Sequence, residues 1–181
     1  MDWRYNIRVD HARHMLLLQG TWKKVETREI LEAVKGMDSM KYFAYGSNMC
    51  SKQMKERCPE SKFISIGCLE GYKFVYDGYS DKRRGAVANV IQDGKSTVEG
   101  VISEVTASDL QSLDKSEGCP AKYNRKKLNV KDAQGNIFLA YVYHRTGEKL
   151  RAPSEEYRGI ILKSAEEHKL SRRYIEENLR G

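Results

Sequence analysis

A glutamate at the end of a predicted helix is the residue in this chain best suited to acid–base chemistry. Thr106 begins a helix-start pattern in which Asp109 takes the third position after the cap, and apolar residues spaced three apart follow. Gly118 is typical of the residue that ends a helix, which places Glu117 in the last turn. Because a carboxylate there faces the negative end of the helix dipole, its pKa is expected to rise. A carboxyl group with a pKa near the working pH can accept and return a proton.

The turn Gly46-Ser47-Asn48 is a second candidate for chemistry, and it follows a short strand that begins at Lys41. The strand is predicted from about five mostly apolar or aromatic residues bounded by turn residues. Glycine permits positive φ, and Ser and Asn side chains bond nearby backbone amides, so a sharp turn is expected. Such a turn at a strand end can present successive N–H groups that bind an anion. An ordinary turn without a ligand is the alternative for these residues taken alone.

Composition limits the classes of protein that this chain can represent. Its 181 residues are 40% hydrophobic and 31% charged, which suits one domain with a small extension. The net charge of +7 favours anionic partners, but it is spread over short clusters, as expected of a solvated surface. The apolar runs are far shorter than the roughly 18 residues of a membrane span. No secretory signal is evident at the start, so a cytoplasmic location without a membrane partner is expected.

The cysteines and histidines do not predict a metal site. Cysteines stand at positions 50, 58, 68 and 119 without a C-x-x-C pair, and the four histidines do not cluster with them. Structural disulfides are not expected in a cytosolic chain. Cys119 lies two residues after Glu117, and we expect it to be inert, with modulation of activity by oxidation as the alternative.

Residues 1–39 are predicted to form an N-terminal extension, separate from a domain over residues 40–181. Alternation from Tyr5 to Val9 indicates a strand, and Met15–Leu18 a second strand returning from it. A helix is predicted from Thr27 to Lys35. These elements are too few to bury a core alone, so we expect them to pack on the main domain or on a partner subunit.

Strands dominate the prediction for the rest of the chain. Candidate strands cover residues 62–68, 72–76, 86–92, 97–105, 123–131 and 137–145. Asp93-Gly94 predicts a hairpin that pairs the third of these strands with the fourth. Helices are predicted over residues 51–57 and after Thr106, Pro153 and Ser171. This order favours an α+β fold, a small mixed β-barrel with flanking helices, over regular alternation of strands and helices.

Four motifs, in this order, resemble those of the γ-glutamylcyclotransferase-like family (AIG2-like and γ-glutamylamine cyclotransferase relatives). They are Tyr42-Phe43-Ala44-Tyr45-Gly46-Ser47-Asn48, then Leu113-Asp114-x-x-Glu117-Gly118 followed by Tyr123, then Pro153-Ser154-x-x-Tyr157, then Leu170-x-x-x-Tyr174. The resemblance runs from about residue 40 to the end and leaves residues 1–39 outside. It implies a small β-barrel with flanking helices, often a homodimer, and no cofactor.

The resemblance also implies an activity and a site. The reaction would be cyclisation of a small-molecule γ-glutamyl amide to 5-oxoproline with release of an amine or amino acid, and Glu117 would be the catalytic acid/base. The substrate-binding residues would be Tyr42, Phe43, Ala44, Tyr45, Gly46, Ser47, Asn48, Tyr123 and Tyr157. From the sequence, Tyr123 and Tyr157 are equally compatible with a place in the core. The turn would hold the substrate carboxylate or the developing oxyanion, and the sequence does not decide which.

Two questions of function stay open at this stage. The motifs do not choose the leaving amine, since relatives act on γ-glutamyl amines, glutathione or a γ-glutamyl-protected intermediate. Ser164-Ala165 stands where the family often has Gly-Ala, which puts the substrate size in doubt. The alternative function is a basic β-barrel that binds nucleic acid or a protein without turnover, with stacking on the aromatic residues at positions 72, 74, 76 and 79. A buried aromatic face explains that alternation better, so nucleic acid is not the expected partner.

Overall fold

The computed structural model describes residues 8–10, 15–18, 21–24 and 39–180. The chain divides into two compact units, residues 1–39 and residues 40–181. In the first unit, three short strands form an antiparallel sheet in the order β1–β2–β3. They are β1 (Arg8–Asp10), β2 (Met15–Leu18) and β3 (Thr21–Lys24).

The first unit agrees with the prediction only in part. The predicted strand at Met15–Leu18 is confirmed, and it pairs with β1 as expected of a returning strand. The third strand, β3, was not predicted. The helix expected from Thr27 to Lys35 and the start of the first predicted strand, Tyr5–Ile7, lie outside the described residues.

The second unit is built around a closed five-stranded barrel in the order β4-β6-β5-β7-β8. The strands are β4 (Met40–Ala44), β5 (Lys62–Ser80), β6 (Gly85–Val105), β7 (Asn124–Asp132) and β8 (Ile137–His144). Neighbouring strands are antiparallel except β4 and β8, which pair in parallel and close the barrel. This architecture confirms the predicted α+β class.

The helices lie where the sequence predicted them. They are α1 (Ser51–Arg57), α2 (Ala107–Glu117), α3 (Glu155–Glu167) and α4 (Arg172–Tyr174), which continues as a π-helical turn over Ile175–Leu179. Thr106 and Asp109 form the reciprocal bonds of a capping box at the start of α2, and Gly118 ends that helix with φ +65°. Glu117 is therefore the last residue of α2, as predicted. Among the described residues, no helix has the length and apolar character needed to cross a membrane.

The predicted hairpin at Asp93-Gly94 is wrong. Asp93 does make a tight turn, in which its carboxylate accepts hydrogen bonds from two following N–H groups, and Gly94 has φ +73°. However, Gln92 pairs with Tyr72 and Thr97 with Glu70, so both halves of β6 pair with β5. The turn is therefore a bulge inside one long strand. A bulge bends its strand, so it allows the long strands β5 and β6 to curve within the barrel.

The aromatic alternation on β5 belongs to the core. Tyr72, Phe74 and Tyr76 are each less than 9% exposed, and only Tyr79 is exposed. Phe74 packs edge-on against Tyr76 and against Tyr45 of the segment after β4. Three of the four rings that would stack on nucleic acid bases are therefore buried. This agrees with the interpretation of the alternation as a buried aromatic face.

Candidate active site

A pocket opens where the end of β4, the end of α2 and the start of α3 meet. It spans about 320 Å³, part of which is open solvent. Its lining residues are Tyr42, Tyr45, Gly46, Ser47, Asn48, Ala88, Glu117, Tyr123, Tyr143 and Tyr157. Eight of the ten residues predicted for the site are in this set.

The other two predicted residues, Phe43 and Ala44, do not line the pocket. Both are buried in the core, with exposures of 0% and 2%. Side chains alternate along a strand, and the ring of Phe43 packs over Gly100 of β6, on the side away from Tyr42. Their contribution is to hold β4 in the barrel so that its end is correctly placed.

Glu117 is held by one of its two carboxylate oxygens. Oε1 accepts a hydrogen bond of 3.0 Å from Nδ2 of Asn48 and one of 3.2 Å from Nη1 of Arg57. Within the described part of the chain, Oε2 has no hydrogen-bond donor. Oε2 is therefore the oxygen available to a bound molecule.

Burial raises the pKa of Glu117 above its ordinary value. The Arg57 guanidinium and the hydrogen bond from Asn48 act in the opposite direction, but the loss of hydration outweighs them. The sequence predicted a raised pKa from the helix dipole, and the direction agrees. The larger cause, burial, became visible only in the structure.

Asn48 organises the site through its side chain. Its Nδ2 donates to the Tyr42 hydroxyl (2.8 Å) as well as to Glu117, and its Oδ1 accepts from Arg57 (2.7 Å) and Gln53 (2.9 Å). From its residue type and position, this side chain was expected to bond the backbone of its own turn. Instead it joins the turn to α1 and α2.

Gly46 is required for space and not for positive φ, since its φ is −117°. A Cβ atom there would lie 3.0 Å from the Cβ of Ala88 and 3.7 Å from the Tyr157 hydroxyl. The chain then enters a 3-10 turn at Ser47–Met49, in which Met49 N–H bonds the Gly46 carbonyl. The N–H groups of Ser47 and Asn48 stand at the start of this turn, where backbone donors have no partner within the turn itself.

The tyrosines form a neutral, hydrogen-bonded wall. Tyr123 donates to the carbonyl of Ala88 (2.8 Å), and the Tyr157 hydroxyl accepts from the Ala88 N–H (3.3 Å). Tyr45 donates to the carbonyl of Tyr143 (2.6 Å). Burial raises the pKa of Tyr45, Tyr123 and Tyr157, so these hydroxyls remain protonated. They can orient a ligand and exclude water, whereas Glu117 is the group suited to proton transfer.

Sequence reasoning missed several residues of the site. Gln53 and Arg57 lie four apart on one face of α1. Their shared face could be predicted from this spacing, but the sequence did not show which residues that face contacts. Tyr143 reaches the pocket from β8, and its hydroxyl donates to Oδ1 of Asp114 (2.6 Å), whose Oδ2 pairs with Arg125. Among the described residues, no group of three His, Cys, Asp or Glu side chains could hold a metal ion.

Three comparisons with known proteins bear on this site. The model of the AIG2-like family matches residues 97–177. A γ-glutamylcyclotransferase of Bos taurus is 29% identical over 142 residues, covering 76% of each chain. A solved structure described as a γ-glutamyl cyclotransferase superposes with a TM-score of 0.74 at 28% identity, covering 79% of this chain and 87% of that one. A human protein described as uncharacterized gives a TM-score of 0.75 at 29% identity, with 80% and 88% covered.

The closed barrel and its flanking helices define a fold that this chain shares with γ-glutamylcyclotransferases. The resemblance indicated by the four motifs is confirmed, because the chain is similar to γ-glutamylcyclotransferases in both sequence and fold. Its relatives are named as enzymes, so the predicted enzyme class is confirmed as well. These homologues support a cyclotransferase function.

Proposed function

We propose that this chain converts a γ-glutamyl amide, either a γ-glutamyl amino acid or a γ-glutamylamine, to 5-oxoproline and a free amine, with Glu117 as the general acid/base. The observation that carries the proposal is the state of the Glu117 carboxylate. The side chain is only 19% exposed in a tyrosine-walled pocket, with Oε1 tied to Asn48 and Arg57 and with Oε2 open to a ligand. Its raised pKa suits a group that must both take and return a proton.

The first step is removal of a proton from the substrate's α-ammonium group. In the proposed complex this group lies against Oε2 of Glu117, and the proton passes from nitrogen to Oε2. The freed lone pair attacks the γ-carbonyl carbon of the same molecule, a C–N bond forms, and the carbonyl electrons move onto oxygen. Because the attack is intramolecular, a pocket that holds the substrate folded removes much of the entropic barrier.

The second step breaks the original amide bond. As the carbonyl re-forms, the bond to the leaving nitrogen breaks, and Glu117 returns its proton to that nitrogen. The ring nitrogen gives up its surplus proton, so two protons in total move from the attacking nitrogen to the leaving amine. The products are 5-oxoproline and an ammonium ion, and Glu117 is again ionised.

The Gly46-Ser47-Asn48 turn would bind an anionic group during this sequence. The N–H groups of Ser47 and Asn48 are proposed to hold either the substrate carboxylate or the developing oxyanion. The hydroxyls of Tyr123 and Tyr157, both held through Ala88, would keep the γ-glutamyl chain folded. This assigns orientation to the tyrosines and proton transfer to Glu117.

The test is 5-oxoproline release from γ-glutamyl-alanine, γ-glutamyl-ε-lysine and glutathione. Wild type is expected to turn over at least one of them, and Glu117→Gln is expected to lower that rate by about 10² or more. Glu56→Gln, on the exposed face of α1, is the matched control and should retain the wild-type rate. Release that survives Glu117→Gln would remove Glu117 from the mechanism. Release from none of the three would contradict the proposed activity.

Three expectations from the sequence stay predictions. They are the homodimer, the cytoplasmic location and the status of residues 1–39 as an N-terminal extension to the domain over residues 40–181. The site proposed here lies wholly within residues 40–181, which form one compact unit.

A further inference from the structure

Arg83 brings a positive charge to the edge of the pocket from the turn between β5 and β6. It ends a 3-10 turn over Asp81–Arg83, and its Nη2 donates to Oε1 of Gln53 (3.0 Å) and lies 3.5 Å from Oγ of Ser47. Its guanidinium carbon lies 5.0 Å from the centre of the Tyr157 ring. Arg83 thus contacts two lining residues without lining the pocket itself, which places it at the rim.

Arg83 forms no ion pair within the described part of the chain, although it lies near enough to Glu117 to lower the pKa of that carboxyl group. Its contacts are an amide oxygen, a hydroxyl and an aromatic face, all of which are neutral. No carboxylate among the residues that the structure describes forms an ion pair with it. Arg57, by contrast, is paired with Glu117. A half-buried guanidinium with neutral partners only is suited to an anionic ligand, because its planar donors match a carboxylate.

We propose that Arg83 binds the carboxylate of the leaving amino acid, and so selects γ-glutamyl amino acids over γ-glutamylamines without that group. The inference rests on the proposed function, since it assigns the outer part of the same substrate. The α-ammonium must reach Oε2 of Glu117, and the α-carboxylate on the same carbon is therefore held deep in the pocket. The leaving amine is at the other end of the molecule and extends toward the rim, where Arg83 stands.

The charges of site and substrate support this assignment. Glu117, Arg57 and Arg83 together carry +1 when the glutamate is ionised. A γ-glutamyl amino acid with a neutral side chain carries two carboxylates and one ammonium, for a net charge of −1. A γ-glutamyl alkylamine has a net charge of zero, and its leaving group has no carboxylate for Arg83 to bind. The site therefore complements the amino acid derivative.

A pair of substrates that differ only in this carboxylate tests the inference. Ethylamine is alanine without its carboxylate, so γ-glutamyl-alanine is compared with γ-glutamyl-ethylamide by kcat/KM. Wild type is expected to favour γ-glutamyl-alanine by about tenfold, mainly through KM. Arg83→Gln should lower kcat/KM for γ-glutamyl-alanine more than for γ-glutamyl-ethylamide and so remove that preference, which makes the ratio of the two values the readout. Lys82→Gln, which removes an exposed charge from the same turn, should keep the preference.

Two results would overturn the inference. An equal loss on both substrates in Arg83→Gln would place Arg83 at the γ-glutamyl head or in the structure of the pocket. An unchanged preference would show that Arg83 does not contact the leaving group. Thermal unfolding of each variant shows whether the fold is intact, and Arg83→Lys, which keeps the charge, should retain part of the preference.

A binding measurement separates this inference from the proposed reaction. The dissociation constants of both compounds are measured by calorimetry on Glu117→Gln, with and without Arg83→Gln. If wild type releases 5-oxoproline from neither compound, the proposed function fails. The dissociation constants then test the carboxylate subsite at Arg83 without reference to turnover. A tenfold preference for γ-glutamyl-alanine that is lost with Arg83→Gln supports the carboxylate subsite, whereas equal constants overturn it.

Discussion

Arg57 donates a hydrogen bond of 3.2 Å to Oε1 of Glu117, across 60 positions of sequence. The bond joins the helix after the Gly46-Ser47-Asn48 turn to the end of α2, and both side chains are only 19% exposed. It falls on the same oxygen that Asn48 reaches. The pair therefore fixes the carboxylate, leaves Oε2 open, and partly offsets the effect of burial on the pKa of Glu117.

The first prediction concerns the pH dependence of the rate. The ionised form of Glu117 accepts the proton, so kcat/KM should fall as the pH drops through its pKa, which burial places above the ordinary value of 4.5. Arg57→Gln removes a group that lowers this pKa, so the acid limb should move to higher pH, and at any pH on that limb the rate should fall relative to wild type. Lys52→Gln, on the exposed face of α1, is the control. An acid limb at the same pH in Arg57→Gln and wild type would contradict this coupling.

The second prediction concerns stability. Since the pKa of Glu117 is higher in the folded state, its contribution to the free energy of unfolding is fully present below about pH 4.5 and is lost as the pH rises through the folded pKa. Glu117→Gln carries no such titration. The Tm of this variant relative to wild type should therefore increase between pH 4 and pH 8, as measured by calorimetry. A difference that is constant with pH, or equal to that of Glu56→Gln, would be evidence against a buried carboxylate with a raised pKa.

The third prediction tests the contact that holds β4 in the barrel. A Cβ atom on Gly100 would meet the carbonyl oxygen of Ala44 and lie 2.8 Å from the ring of Phe43. Gly100→Ala should therefore lower the free energy of unfolding by about 1–3 kcal/mol in urea denaturation. Gly159→Ala, on the exposed face of α3 with nothing within 4 Å, should raise it by up to about 1 kcal/mol. Equal effects of the two substitutions would show that the close approach of β4 and β6 is not a constraint.

The fourth prediction concerns the boundary at Met40. Residues 40–181 form a compact unit that contains the barrel, the helices and every lining residue of the pocket. A chain that starts at Met40 should therefore unfold cooperatively and release 5-oxoproline at the rate of the full chain. Sedimentation of both forms shows whether residues 1–39 support a dimer. A folded truncation without activity would show that these residues contribute to the site.

The sequence by itself determined the features that depend on neighbouring residues. The capping box of Thr106 and Asp109, the left-handed Gly118 and hence the position of Glu117 at the end of α2 follow from local hydrogen bonds and backbone sterics. The turn after β4 and the α+β class were predictable for the same reason. The family motifs added the candidate role of Glu117.

Tertiary structure decided the features that depend on distant partners. Asp93-Gly94 has the residue types of a hairpin turn and does form a tight turn. It is a bulge within β6, and not a hairpin, because the residues on both sides of it pair with β5. Arg57 and Tyr143 reach the pocket from elements whose positions depend on barrel closure. The larger cause of the raised pKa of Glu117 is burial, which no local pattern reports. Local chemistry therefore selected the acid, and packing across the barrel decided which oxygen is free, which cations surround it and how strongly it holds its proton.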